Sequence, residues 1–324
     1  MLLRHRFRSL YRLLALGCVA PAALAVGFGC DVNRIAADQT AKVAAAGADG
    51  VNGFWDYEVA GMAMPGAIMQ SEVLVKVSPN NEALLLGLAR TYVAYTFGWV
   101  QDEWELADEA GDFERADRLE RRVRLFYERA TELALRAVRM RDEEGKLDEQ
   151  LKTGKVEVVK PYLARVFTEQ EDVSALYWAG LAWGSAMANS GGDVRVIADA
   201  PVARALLERS VELDPAFADA GGLGILGSVE AMFPALFGGN LDKAKAYFER
   251  ALEVCKRKNH LILVGYAKNY AVNAQDRELF IKLLREVLDA PDQGVDVRLS
   301  NKVARHRAER YIKRVDDWFD PALE

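Results

Sequence analysis

The chain has 324 residues, of which 51% are hydrophobic and 28% charged, with a formal net charge of −6 and only nine prolines. That balance suits a soluble helical protein, and the acidity excludes the basic footprint of a nucleic-acid binder. Three cysteines, two of them within the first 30 residues, exclude a scaffold stapled by disulfides.

Met1 to Arg12 carries Arg4, Arg6, Arg8 and Arg12 with no acid, and Leu13 to Phe28 runs without a charge. A stretch of that length fits a secretory leader and is short for a spanning helix. It ends in Val26-Gly-Phe-Gly-Cys30, a small residue before a cysteine that resembles a bacterial lipobox, with Gly27 and Phe28 departing from the usual pattern. The expectation is a leader over residues 1–30 with lipid attached at Cys30, followed by one TPR-like (tetratricopeptide-like) helical domain over 31–324. Cleavage without lipid and an uncleaved anchor are the alternatives. Removing the leader takes away four arginines and no acid, which moves the charge from −6 to −10. Cys255 then stands alone and is expected to be a small buried apolar residue.

In chain order, residues 33–46 form a short helix candidate and 47–53 a turn-rich break. A helix is expected to begin at Pro65, since proline fits a first turn. Pro79-Asn80-Asn81 opens a clearer one, in which Leu85, Leu88, Ala89 and Tyr92 match a TPR first helix. A charged segment, 102–124, precedes the second-helix face of Ala130, Ala134 and Ala137, so the first pair carries an insertion or an extended helix. Val156 to Val159 is a β-branched cluster with no assigned place. The second unit starts at Asp172, with Trp178, Leu181 and Ala182, a stop at Gly191-Gly192, then Ala203, Leu207 and Ser210, closed by Pro215. The third runs from Phe217 to Val254 with an insertion near 233–238. Its second helix has Asn240 or Asp242 as a cap and Ala244, Phe248 and Ala251 on one face. The fourth covers Leu261 to Pro291, and Ser300 to Phe319 is an amphipathic helix suited to capping a stack. The expected fold is all-α, a right-handed TPR-like α-solenoid of about four helix pairs with flanking helices.

Gly222, Gly224 and Gly227 have the spacing of a dinucleotide fingerprint but lack its strand, so close helix packing is expected. His260 and His306 are expected at the surface or at helix ends, with no metal-ligand spacing around them. Acid pairs such as Asp102/Glu103 and Asp316/Asp317 are expected on solvent faces. No constellation predicts an enzyme, a cofactor or a metal. Trp99, Tyr177, Trp178, Trp183, Phe233, Phe237, Tyr266 and Tyr270 lie on or near first helices. Core packing is the plain reading of these aromatics; the functional one is a wall that binds an apolar ligand or a partner helix.

Several segments resemble the TatT-type T component of TRAP (tripartite ATP-independent periplasmic) transporters. They are Phe54-Trp55, Asn81 to Trp99, Ala175-Leu-Tyr-Trp-Ala179, and Phe233 to Gly239 leading into Ala244 to Val254. Tyr266-Ala267, Gln275 to Phe280 and Arg298 to Lys302 agree as well. The resemblance implies a lipoprotein on the periplasmic side, TPR-like and trimeric, that works with a TRAP solute-binding protein and passes a hydrophobic ligand through a pore. It carries over no catalytic residues. The competing expectation is a structural TPR lipoprotein of an envelope assembly or secretion complex.

Overall fold

The structure, a computed structural model, describes residues 29–190, 199–232 and 239–319, and every regular element among them is helical. Residues 1–28 of the leader, Gly191-Gly192, Phe233 and Phe237 lie outside the described residues. The first helices are α1 (Gly29–Ala46), α2 (Ala48–Asn52), α3 (Tyr57–Val77), α4 (Glu82–Tyr95), α5 (Gln101–Glu109) and α6 (Phe113–Arg141). The chain continues through α7 (Leu147–Lys152), α8 (Val156–Val166), α9 (Asp172–Ala188), α10 (Ala200–Leu213) and α11 (Phe217–Met232). It ends with α12 (Leu241–Val254), α13 (His260–Gly265), α14 (Arg277–Asp289) and α15 (Arg298–Tyr311), the last running into a 3-10 turn over Ile312–Asp317.

Side-chain caps set most of the starts. Asp56 accepts from the Val59 amide, Asn81 from Leu84, Asp112 from Arg115, Asn240 from Lys243 and Asp276 from Leu279, each at 2.9–3.1 Å. Each satisfies one amide that the first turn leaves without a helical partner. Asn240, not Asp242, is therefore the cap of α12. The Asp56 cap also moves the start of α3 two turns ahead of Pro65, which sits inside the helix and removes one backbone hydrogen bond there. The long charged link is extended helix: α4 passes through a π turn (Thr96–Val100) directly into α5, and Gly111, at φ +73°, separates α5 from α6. Val156 to Val159 opens α8, with Val159 fully buried, so its amphipathic spacing prevails over its β-branched composition.

Successive helices pack side by side. The series runs α4 on α6, α6 on α9, α9 on α10, α10 on α11 and α11 on α12, then α14 on α15. Leu85, Leu88, Ala134, Ala137, Leu176 and Leu206 fill one core cluster, and Phe248, Ala251, Leu263, Ala267 and Phe280 a second. Trp178 and Leu181 pack against both. The glycines of α11 allow the second cluster its closeness. A Cβ on Gly227 would lie 2.9 Å from the Phe248 ring, and one on Gly224 would lie 2.9 Å from Ile262. Close packing is thus what the glycine spacing serves. The final helix differs from expectation: α15 packs on α2 and α3, so the last helix returns to the first ones instead of capping a free end.

The start of α11 is strained. Ala218, Asp219 and Ala220 stand at φ 52°, 51° and 60°, a left-handed turn that costs an L-residue about 1–2 kcal/mol. The turn is held by Asn259, which donates to the Asp219 carbonyl at 3.2 Å, and by Phe217, whose ring lies 5.2 Å from Tyr177. Ala218 is exposed, so Ala218→Gly loses no packing. We expect it to stabilise the protein by about 1 kcal/mol, read as a higher urea midpoint at unchanged slope.

Candidate docking site at the helical seam

The contact between the last helix and the first ones concentrates the polar chemistry of the fold. Tyr57 opens α3 and donates its hydroxyl to the Gly98 carbonyl at 2.7 Å, inside the π turn. Its ring stacks on Trp99, with centroids 5.1 Å apart, and on His306 of α15, 4.5 Å apart. The Trp99 indole donates back to the Tyr57 carbonyl at 3.2 Å. A side chain on Gly61 would collide with that indole, so the close approach of α3 to the π turn requires glycine there.

Behind the aromatic stack lies an ion network. Arg307 is buried; it donates to Glu105 at 2.9 Å, to the Tyr311 hydroxyl at 2.9 Å and to the Phe97 carbonyl at 2.6 Å. Its guanidinium also sits 4.2 Å from the centroid of the Phe97 ring, a cation–π contact. Arg310 donates to Asp102 at 2.9 Å and pairs with Glu105 and Glu109. His306 completes the set, 3.0 Å from the second oxygen of Asp102. Burial alone would raise the Asp102 carboxyl. The His306 hydrogen bond and the charges of Arg307 and Arg310 outweigh it and hold Asp102 below the usual carboxylate range. Glu105 follows the same logic: burial raises it, and Arg307 and Arg310 more than reverse that. Burial, and next the Asp102 charge, push the Tyr57 phenol up, so it stays a hydrogen-bond donor.

One expectation from sequence is corrected here. Asp102 is buried, not solvated, because the bases of α15 cover it. His306 stacks on Tyr57 mid-helix, and its side chain is 42% exposed on the cleft, so the surface reading of it stands. His260 does open α13, but it is buried. Burial lowers its pKa, with Glu286 opposing and Arg305 adding to the shift. A pKa lowered in the fold favours the neutral form, so the unfolded chain takes up more protons as pH falls. His260 therefore supports the fold above about 6.5, its unfolded value, and loses that contribution as pH falls toward the folded pKa. We expect the thermal midpoint to drop between pH 7 and 5, and His260→Leu to flatten that drop. Asp102 and Glu105 act lower, below the ordinary carboxylate range near pH 4.

In front of the stack, α15 and the segment leading into α3 border an open cleft of about 420 Å³. Trp55, Asp56, Tyr57 and Glu58 form one wall, and Lys302, Arg305, His306 and Glu309 the other. Trp55 is 67% exposed at its mouth and stacks only loosely on Phe54, with centroids 6.3 Å apart. An exposed tryptophan beside arginine and paired acids is the composition of a docking hot spot. Among the described residues no three His, Cys, Asp or Glu side chains are grouped to hold a metal ion.

Among the described residues, the other six of the eight aromatics expected as a wall divide as follows. Trp99 belongs to the seam. Tyr177 is buried, edge-on to Trp178 at 4.9 Å and to Phe217. Tyr266 is buried on Phe248 at 4.7 Å, with Tyr270 beside it at 5.1 Å. Trp178, Trp183 and Tyr270 are half-buried. Cys255 is buried at the end of α12. Sequence reasoning missed Asp102, Glu105, Arg307 and Arg310. Their signal was present: acids at 102, 105 and 109 and bases at 307, 310 and 314 share one helical spacing.

Fold and seam together define an all-helical protein of side-by-side packed helices whose polar chemistry is suited to docking. The chain belongs to the family of TRAP transporter T-components, which matches residues 55–319, from the exposed tryptophan of the cleft to the end of the described fold. A Treponema pallidum (strain Nichols) protein described as uncharacterized is 23% identical over 265 residues, covering 82% of this chain and 80% of that protein.

Proposed function

We propose that this chain is the exported, lipid-anchored accessory of a TRAP transporter, holding the solute-binding protein beside the membrane from which Cys30 suspends it. The observation that carries this reading is Trp55, exposed at a mixed-charge cleft in a T-component family member. The cleft offers a large flat ring at its mouth, with Arg305 and Lys302 facing Asp56 and Glu58. Such a surface selects a partner of complementary charge pattern and gains its affinity from the aromatic. The helix pairs are read as TPR-like repeats, and the half-buried Trp178, Trp183 and Tyr270 as the wall for a hydrophobic ligand handed to that partner. Trimeric assembly is what the resemblance adds.

Titration of the full chain in detergent with the TRAP solute-binding protein of the same organism tests the docking. Saturable binding that Trp55→Ala weakens at least tenfold supports it. An unchanged affinity in Trp55→Ala and Arg305→Glu removes the cleft from the interface. No binding at all favours the structural scaffold of an envelope complex.

A further inference from the structure

Arg90 of α4 differs from the arginines of the seam. Burial lowers its pKa, and only the Tyr177 phenol opposes the shift; no acid does. Burial acts the same way on Arg307 and Arg310, but Glu105 and Tyr311 more than reverse it there. Among the described residues Arg90 forms no salt bridge, and its guanidinium donates to the side chain of Asn52 on α2. Ala83, Gly87, Arg90 and Ala94 share one face of α4, and the first three are exposed. Nothing meets a Cβ placed on Gly87, so small residues leave open space beside the arginine. A group that solvent reaches and burial still perturbs lies on a concave surface, not in a core. A cation held there without an acid suits an anion from outside.

Tyr177 of α9 is the complementary feature. Each of the two groups acts electrostatically on the other. The Tyr177 side chain is buried, and burial pushes its phenol up, so the hydroxyl stays a donor. It makes no hydrogen bond among the described residues, where a buried hydroxyl ordinarily has one. Gly221 makes room for it: a Cβ there would lie 2.6 Å from the hydroxyl oxygen. Trp178 and Phe217 stand edge-on to the Tyr177 ring, at 4.9 and 5.2 Å, and both are half-buried.

We propose that Arg90 and Tyr177 bind the carboxylate of an apolar monoacid, whose body lies on Trp178 and Phe217. The proposal rests on the reading of the half-buried aromatics as a ligand wall and gives that ligand its head group. The planar guanidinium, steadied by Asn52, offers parallel N–H donors to a carboxylate, and the Tyr177 hydroxyl adds another. Charge sets the valence. One guanidinium balances one negative charge, and Asp219, which also acts on the Tyr177 phenol, repels a second. A phosphate dianion is therefore a poor occupant. Beyond the head group the neighbours are rings and small residues, which suit an apolar body.

The test is equilibrium dialysis of the full chain in detergent, with no partner protein present, against 3-phenylpropanoate and its uncharged amide. The expected result is saturable binding of the acid and about tenfold weaker binding of the amide. Arg90→Gln lowers the affinity for the acid about tenfold and leaves that for the amide unchanged. Tyr177→Phe weakens binding of the acid severalfold. Because Arg90 carries no ion pair among the described residues, Arg90→Gln keeps the thermal midpoint of the parent chain, which circular dichroism checks. Equal binding of acid and amide, with Arg90→Gln indifferent, overturns the head-group site and leaves the apolar wall standing. Binding of the acid that Arg90→Gln does not weaken overturns it as well. Binding of neither compound overturns both the site and the wall, while docking at the Trp55 cleft is read separately by titration with the solute-binding protein.

Discussion

Replacing Arg307 with methionine is expected to destabilise the protein by about 3–5 kcal/mol, the range found when one member of a buried ion network is removed. The side chain is 3% exposed and holds three acceptors on separate elements: Glu105, Tyr311 and the Phe97 carbonyl. Methionine fills much of the volume but donates nothing. Glu105 keeps Arg310 as a partner, while Asp102 loses one of the two guanidinium charges that lower its pKa. Urea unfolding monitored by tryptophan fluorescence gives the loss directly. Pairing Arg307→Met with Glu105→Gln should recover part of it, because Arg310, already shared with Asp102 and Glu109, is left to offset too much buried negative charge. A loss under about 1 kcal/mol would mean that the seam is solvated and the network a surface feature.

Phe248→Ala is expected to cost a similar amount, about 3–5 kcal/mol, by a different physical route. Phe248 is fully buried, stacked on Tyr266 at 4.7 Å and pressed against Gly227 of the neighbouring helix. Alanine leaves a cavity lined by two rigid helices that cannot collapse into it. The cavity suggests its own control. Gly227→Ala alone drives a methyl into the ring and destabilises by overpacking. Combined with Phe248→Leu, which vacates the ring edge, the same methyl finds room, so the double variant should lose less than the sum of the two. Strict additivity in the denaturation energies would show that the two residues do not share the space described.

How much of this was legible in the sequence depends on the range of the interaction that decides each feature. The α12 helix, its Asn240 cap and its buried Ala244, Phe248 and Ala251 could be read because caps and helical faces are local. The charged stretch after Trp99 could not be resolved into an insertion or a long helix, because the π turn that joins α4 to α5 has no compositional mark. Pro65 misled because a cap nine residues upstream, at Asp56, outweighs one missing hydrogen bond. The seam was read wrongly for a deeper reason. Asp102 looks like an ordinary solvated residue until two segments far apart in sequence are brought together. Only the matching spacing of the acids on α5 and the bases on α15 hinted at it. The aromatics were rightly noted as partly core, but the sequence says nothing of how Tyr177, Tyr266 and Trp99 divide among three separate stacks.

Arg307 reaches Glu105 across 202 residues of chain. Contacts of that span form late, since closing a long loop precedes any reward from the contact. The acids of α5 therefore stay hydrated and mutually repelling until α15 docks. A chain lacking α15 would leave this acidic edge uncovered. The last helix is in this way the element that closes the fold on its first ones.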